Sequence, residues 1–295
     1  MAYIRMILKQ RPALAWILAG SWVAVVGGVA YLWNLGRYGL IDETEPLFAE
    51  AARQMVLTGD WISPYFNGEP RFDKPPLIYW LMGFAYQVVG VNSWGARLPS
   101  ALSALGLLGF SFFTLYHFGG PQPADNRPTG DSTLMRWWTT LLSCSLMALS
   151  PLLVIWGRTG VSDMLLTACI SGAMFAFFWG YAQVDQPRQQ QRWYLFFYIL
   201  LGLGTLTKGP VAIVLPVLGI ALFLLFLGKK TVVQVLQEAR WLRGSLVVLA
   251  ITIPWFLAIT WQHGSAYVDD FFGYHNFERF TRVVNNHAAP WYFYL

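Results

Sequence analysis

The sequence predicts an all-α polytopic membrane protein, with about seven transmembrane helices and interfacial helices in its first outer loop. Three observations predict it. Only 12% of the 295 residues are charged, while 56% are hydrophobic and 17% aromatic; soluble domains carry about 25% charged residues. Seven apolar runs approach the roughly 20 residues a spanning helix needs. The basic residues also collect in alternate loops, as the positive-inside rule requires.

The first run follows Arg5, Lys9 and Arg11 and is uncharged from Ala13 to Trp33. A signal peptide has an apolar region of about 7–15 residues, so this longer run reads as a retained span with its N-terminus in the cytoplasm. The seven runs are 14–33, 98–118, 137–157, 164–184, 193–207, 209–228 and 245–262. The fifth is short and forms a hairpin with the sixth, broken at Lys208-Gly209-Pro210.

An eighth run, 77–91, opens with Pro75-Pro76, closes at Gly90 and is short. If it lies flat on the outer interface, the inner pieces 1–13, 119–136, 185–192 and 229–244 hold eleven basic and four acidic residues. The outer side then keeps nine basic and eleven acidic. If it spans, the basic loops face outward, so charge favours seven spans and an interfacial 77–91. Within outer loop 34–97, residues 44–58 read as an amphipathic helix along the membrane surface. Asp42 or Thr44 would cap it, Pro46 suits its first turn and Gly59 ends it. Phe48, Ala52, Met55 and Val56 share one face.

Cys144 and Cys169 sit inside apolar runs, where packing is their expected role. The net charge of +5 could suggest nucleic acid. No Lys/Arg stripe is interleaved with exposed aromatics, however, and basic loops beside spans account for the charge. No nucleic-acid partner is expected; the bilayer is.

Five polar groups fall on the outer face under this topology. Asp42-Glu43-Thr44-Glu45 follows the first span; its acids suit a helix N-terminus or include a general base. Lys74, in Arg71-Phe72-Asp73-Lys74-Pro75-Pro76, is pinned by two prolines and suits a phosphate or ordinary snorkelling. Asp163, in the turn Arg158–Asp163, and Lys208 lie close enough to the bilayer to be functional candidates; the plain alternatives are a cap and a snorkel. The tail 263–295 carries Asp269, Asp270, His275, Glu278, Arg279, Arg282 and His287, then Trp291 to Tyr294, which match an interfacial aromatic belt. His275 and Glu278 resemble two members of a metal site, but a pair without a third ligand is weak. No metal site is assigned, no cofactor is called for, and a divalent metal is not indicated. A transporter should keep its polar sites near the midplane, where these spans are almost free of charge.

The run Asp42-Glu43-Thr44-Glu45, then Gly59-Asp60-Trp61, Phe72-Asp73-Lys74-Pro75-Pro76 and Arg97-Leu98-Pro99-Ser100, resembles the polyprenyl-phosphate-sugar-dependent glycosyltransferases of the GT-C superfamily. Within them it is most similar to bacterial aminoarabinose (lipid A) transferases and protein O-mannosyltransferases. Gly160 to Asp163, Thr207-Lys208-Gly209, Phe277 to Phe280 and Pro290 to Leu295 continue the likeness, which spans 14–295. The resemblance implies a seven-span core in the bacterial inner membrane with its active face periplasmic. It implies a polyprenyl-phosphate-linked sugar donor and a lipid, glycan or protein acceptor. By resemblance Asp42 corresponds to the essential acid, Lys74 to a donor-phosphate lysine and Arg279 to a second phosphate ligand.

Glu43 and Asp163 complete the catalytic candidates, and Lys208 the phosphate-binding ones. Asp73, His275, Glu278, His287 and Tyr292 are further site candidates. Two departures stand out. The aminoarabinose transferases carry an arginine where this chain has Glu45 and an aromatic where it has Pro46, so the acceptor is not inherited. Family members are also longer, with further spans and usually a soluble C-terminal domain, so residues 1–295 are expected to be the family's transmembrane domain without its C-terminal part. A transporter of a lipid-linked precursor and a non-catalytic membrane binding subunit are the competing functions.

Overall fold

The computed structural model describes residues 12–119, 130–271 and 273. It is a helical bundle. Helix α1, Pro12–Gly27, continues through a π-helical turn, Gly28–Leu32. Next come α2 (Thr44–Thr58), a two-stranded antiparallel ribbon of β1 (Tyr65–Phe66) and β2 (Glu69–Pro70), and α3 (Leu77–Val89). Helices α4 (Ser93–Phe118), α5 (Gly130–Ala148), α6 (Pro151–Gly157), α7 (Asp163–Ala182), α8 (Pro187–Lys208) and α9 (Val211–Leu227) follow. The described chain closes with α10 (Lys229–Glu238), α11 (Trp241–His263) and α12 (Ser265–Val268).

The chain is an all-α polytopic membrane protein. Among the described residues, α4, α7 and α11 are each long and apolar enough to cross a membrane, and α5 with α6 makes a fourth if counted as one span. Each of the seven apolar runs is helical, with two adjustments. The run 137–157 is bent by 61° between α5 and α6, where Pro151 cannot donate its share of the α ladder. The short fifth run is extended to 22 residues, starting at Pro187. Its added polar turns bond α10: Gln190 reaches the Glu238 carboxylate and Gln191 its backbone carbonyl. Helix α3 has 13 residues, a rise of about 20 Å, short of a hydrocarbon core of about 30 Å.

Large apolar side chains face outward throughout; Phe226 is 89% and Trp261 92% exposed, which only lipid makes favourable. Inside, small residues let helices approach. A Cβ at Gly180 would lie 2.8 Å from the Tyr194 ring, so glycine allows α7 and α8 to touch. The free, buried Cys144 and Cys169 belong to the packed interior.

The helix expected over 44–58 is present, and its apolar face packs on protein. Phe48, Ala52 and Met55 are buried against Ile78, Tyr79 and Met82 of α3, Ala96 of α4, Val161 before α7 and Leu165 within it. Neither Asp42 nor Thr44 caps it; Glu43 holds the N-cap position without a side-chain hydrogen bond. Gly59 ends it as expected, at φ 75° with its N–H on the Met55 carbonyl.

Candidate functional site

The site is built outward from one buried ion pair. Arg97, near the start of α4, donates through Nε and Nη2 to the two carboxylate oxygens of Glu45 at 2.7 and 2.8 Å. The side chains are 5% and 1% exposed. The remaining guanidinium hydrogens bond the carbonyls of Leu35, Tyr38 and Gly39. Glu45 also accepts from the backbone N–H of Ile41 at 2.7 Å and of Gly160 at 2.6 Å. Burial alone would raise this carboxyl; the Arg97 hydrogen bond, the two amides and the Arg97 charge outweigh it and hold it below the usual value. Glu45 therefore points inward, into the protein.

Asp42 sits in the loop this pair closes. Its φ is 66°, a region Asp visits more readily than most residues. Its Oδ1 accepts from the Glu43 N–H at 2.7 Å, and Oδ2 has no protein partner among the described residues. Glu43 is exposed beside it.

The turn that presents Gly160 also leads into Asp163, at the first position of α7. Lys208 at the C-terminus of α8 donates to Asp163 Oδ1 at 2.6 Å, with side-chain exposures of 32% and 36%. A snorkelling lysine and a capping aspartate were the plain readings of these two; the fold makes them partners instead. Gly209, at φ 82°, ends α8 there.

Helix α2 joins this cluster to the next. One turn beyond Glu45, the Phe48 ring stacks on Tyr79 at 5.4 Å, and the Arg71 guanidinium lies 5.2 Å from its centre. Arg71 grips Asp73 through two hydrogen bonds of 2.6 Å. Lys74 Nζ donates to the Asp73 carbonyl at 2.8 Å and lies 3.7 Å from its carboxylate, with the lysine side chain 14% exposed. Burial pushes the Tyr79 phenol well above its ordinary value, so it stays neutral beside Asp73. An open depression of about 360 Å³, lined by Glu69, Arg71, Asp73 and Asp270, adjoins this segment.

The loop between α2 and the ribbon is tied to the end of α11. Asp60 accepts from the N–H of Ile62 and of Ser63, and Gln262 donates to its other oxygen. The buried Ser63 hydroxyl bonds Gln262 and, at 2.7 Å, His263 Nε2. A cavity of about 690 Å³ lies elsewhere, bounded by parts of α7, α8, α9, α10 and α11. Its lining is apolar, with Phe197, Leu201, Leu224 and Val248 among it.

The fold thus brings together the segments of Asp42, Glu43, Asp73, Lys74, Asp163 and Lys208. His275, Glu278, Arg279, His287 and Tyr292 lie outside the described residues. No three His, Cys, Asp or Glu side chains gather as metal ligands among the described residues. Sequence reasoning missed Arg97 as a site organiser, and Gly160, Tyr79, Ser63 and His263. Arg97 had a legible signal: it is the one charge between Val91 and Phe118, at the head of a spanning helix.

Comparison with known proteins bears on this arrangement. A family described as dolichyl-phosphate-mannose-protein mannosyltransferase matches residues 133–258. An undecaprenyl phosphate-alpha-4-amino-4-deoxy-L-arabinose arabinosyl transferase of Shewanella sediminis is 32% identical over 271 residues, covering 90% of this chain and 44% of that protein. A namesake from Pseudomonas savastanoi is 29% identical, covering 90% of this chain and 46% of its own length. The chain thus spans under half the length of these curated relatives. The crystal structure of ArnT from Cupriavidus metallidurans in the apo state superposes with a TM-score of 0.74 at 24% identity, covering 88% of this chain and 44% of that one. The same protein bound to undecaprenyl phosphate gives 0.71. The chain shares the fold of ArnT, and the resemblance read from Asp42–Glu45 and Asp73–Pro76 holds.

Proposed function

We propose that the protein is a membrane glycosyltransferase that moves a sugar from a polyprenyl-phosphate carrier to an acceptor on the periplasmic face of the inner membrane. One observation carries the reading: helix α2 stitches together the three segments that bear Asp42, the Asp73–Lys74 pair and the Asp163–Lys208 pair. A free carboxylate oxygen and a phosphate-binding lysine then share one end of the bundle. The arabinosyl transferases among its relatives and the undecaprenyl-phosphate complex of ArnT support a lipid-phosphate donor.

The reaction is an inverting displacement. An acceptor hydroxyl oxygen attacks the anomeric carbon, its proton passes to the Asp42 carboxylate, and the bond from that carbon to the phosphate oxygen breaks. The electron pair leaves with the polyprenyl phosphate. Lys74, with Arg279 from the tail, holds that phosphate and stabilises its growing charge. Lys208 is a further phosphate ligand in this reading and Asp163 a further acid, paired at the same end of the bundle. The topology is the seven-span one, N-terminus inside: reporters fused after residues 92 and 163 should read outside and one at 188 inside. A cytoplasmic signal at 92 would make α3 a span and invert the site's face.

The activity test is mass spectrometry of lipid carriers and envelope glycans with and without the gene, followed by assay of Asp42→Asn in the full-length protein. Asn holds the same turn but accepts no proton, so transfer should fall about 10²–10⁴-fold while insertion and folding stay normal. Wild-type turnover by a folded Asp42→Asn protein would remove Asp42 as base. Movement of an intact lipid-linked sugar across the membrane without its release would identify a transporter instead.

A further inference from the structure

We propose that Glu45 is a positioning residue for Asp42, which it serves through the clamp it forms with Arg97. The proposal rests on the glycosyltransferase reading above. Every hydrogen bond of the clamp beyond the pair itself lands on a segment that carries a candidate acid. Arg97 holds the carbonyls of Leu35, Tyr38 and Gly39, the strap between α1 and Asp42. Glu45 holds the Ile41 N–H on one oxygen and the Gly160 N–H on the other.

The Ile41 bond closes a short loop from residue 41 to residue 45 around Asp42, whose φ is positive; holding the loop at both ends limits how that residue can turn. The Gly160 bond fixes the distance from this loop to the turn leading into Asp163. Gly160 has no slack: a Cβ there would stand 3.2 Å from Glu45 Oε1 and 3.1 Å from the Ala96 carbonyl. One buried carboxylate thereby sets both where Asp42 points and how far it lies from the Asp163–Lys208 pair.

The test uses the full-length protein in detergent, with Glu45→Gln and Arg97→Lys. Gln keeps the size and one acceptor oxygen; Lys keeps the charge but loses the fork. A group displaced by about 1 Å can cost about 100-fold in rate. Turnover per folded molecule should therefore fall about 10–100-fold in both variants, with the KM for the lipid-phosphate donor unchanged because Lys74 sits on another segment. Amide hydrogen exchange should show residues 38–45 and 157–163 losing protection together. Wild-type turnover per folded molecule, even with a lowered melting temperature, would make the clamp merely structural. Loss of protection in only one of the two segments would likewise overturn it. If Glu45→Gln does not fold, Arg97→Lys supplies the kinetic reading. If the wild-type protein transfers no sugar, the glycosyltransferase reading fails by itself, and the exchange experiment alone decides whether one clamp holds both segments.

Discussion

Two ion pairs stand at the same end of the bundle and differ in their access to water and in the bonds around them. Glu45–Arg97 and Asp163–Lys208 have nearly equal separations, 2.7 and 2.6 Å. The first is 1% and 5% exposed and carries five further hydrogen bonds to backbone. The second is about one third exposed and joins two helix ends. Distance therefore says nothing of role. In the dry pair each charge depends on the other, because no water can replace the lost partner. In the wet pair water can, so each group loses less when its partner is removed.

The largest expected effect tests the dry pair. Glu45→Ala strands a guanidinium inside protein and should cost about 3–5 kcal/mol, read by denaturation in detergent. A loss under about 1 kcal/mol would mean that Arg97 is hydrated in solution and that the contrast fails. Lys74 is intermediate, at 14% exposed. Lys74→Ala should weaken donor binding by about tenfold or more, the worth of a charged hydrogen bond. Lys74→Arg should keep part of the affinity, since it keeps the charge and alters the geometry. Equal donor affinity in wild type and Lys74→Ala would leave Lys74 a snorkelling side chain.

Acidity sharpens the comparison further. The Glu45 carboxyl is held below its ordinary value of 4.5, so folding takes up its proton less readily than the unfolded chain does. Its contribution is complete above about pH 4.5 and fades as pH falls through the lowered native value. The melting temperature should hold steady from neutral pH down to that point and then drop. Glu45→Gln, already destabilised, should lack this component of the drop; an identical acid limb in both proteins would assign it to other carboxylates. The smallest effect belongs to the wet pair. Asp163→Asn should change stability by no more than about 1 kcal/mol, and raising salt should shrink the difference further. A loss comparable to that of Glu45→Ala would erase the distinction.

The sequence had named most of the candidate residues but mispriced their surroundings. Asp42, Lys74, Asp163 and Lys208 stood out because ionisable groups beside apolar runs are rare. Glu45 stood out as one of three acids after the first span and as a departure from a family pattern, but its inward direction was invisible: one turn of helix separates a residue facing water from one facing Arg97, 52 positions away. The 44–58 helix shows the same limit. Its apolar stripe was correct, yet periodicity cannot say whether lipid or α3 covers that stripe. The partner that does, from Ile78 to Met82, is itself an apolar run whose fate was ambiguous.

By itself, then, the sequence determined the helices, their bilayer setting and the kinds of side chain at the polar end. Composition and period are local quantities, and a membrane enforces them because every backbone group must bond within its own segment. Only the tertiary structure decided which charges pair, which carboxylate is dry and which strap is held against which turn. Those choices rest on contacts between residues far apart in the chain, such as Glu45 with Gly160 and Ser63 with His263. Burial then sets what each contact is worth, and burial is a property of the assembled fold.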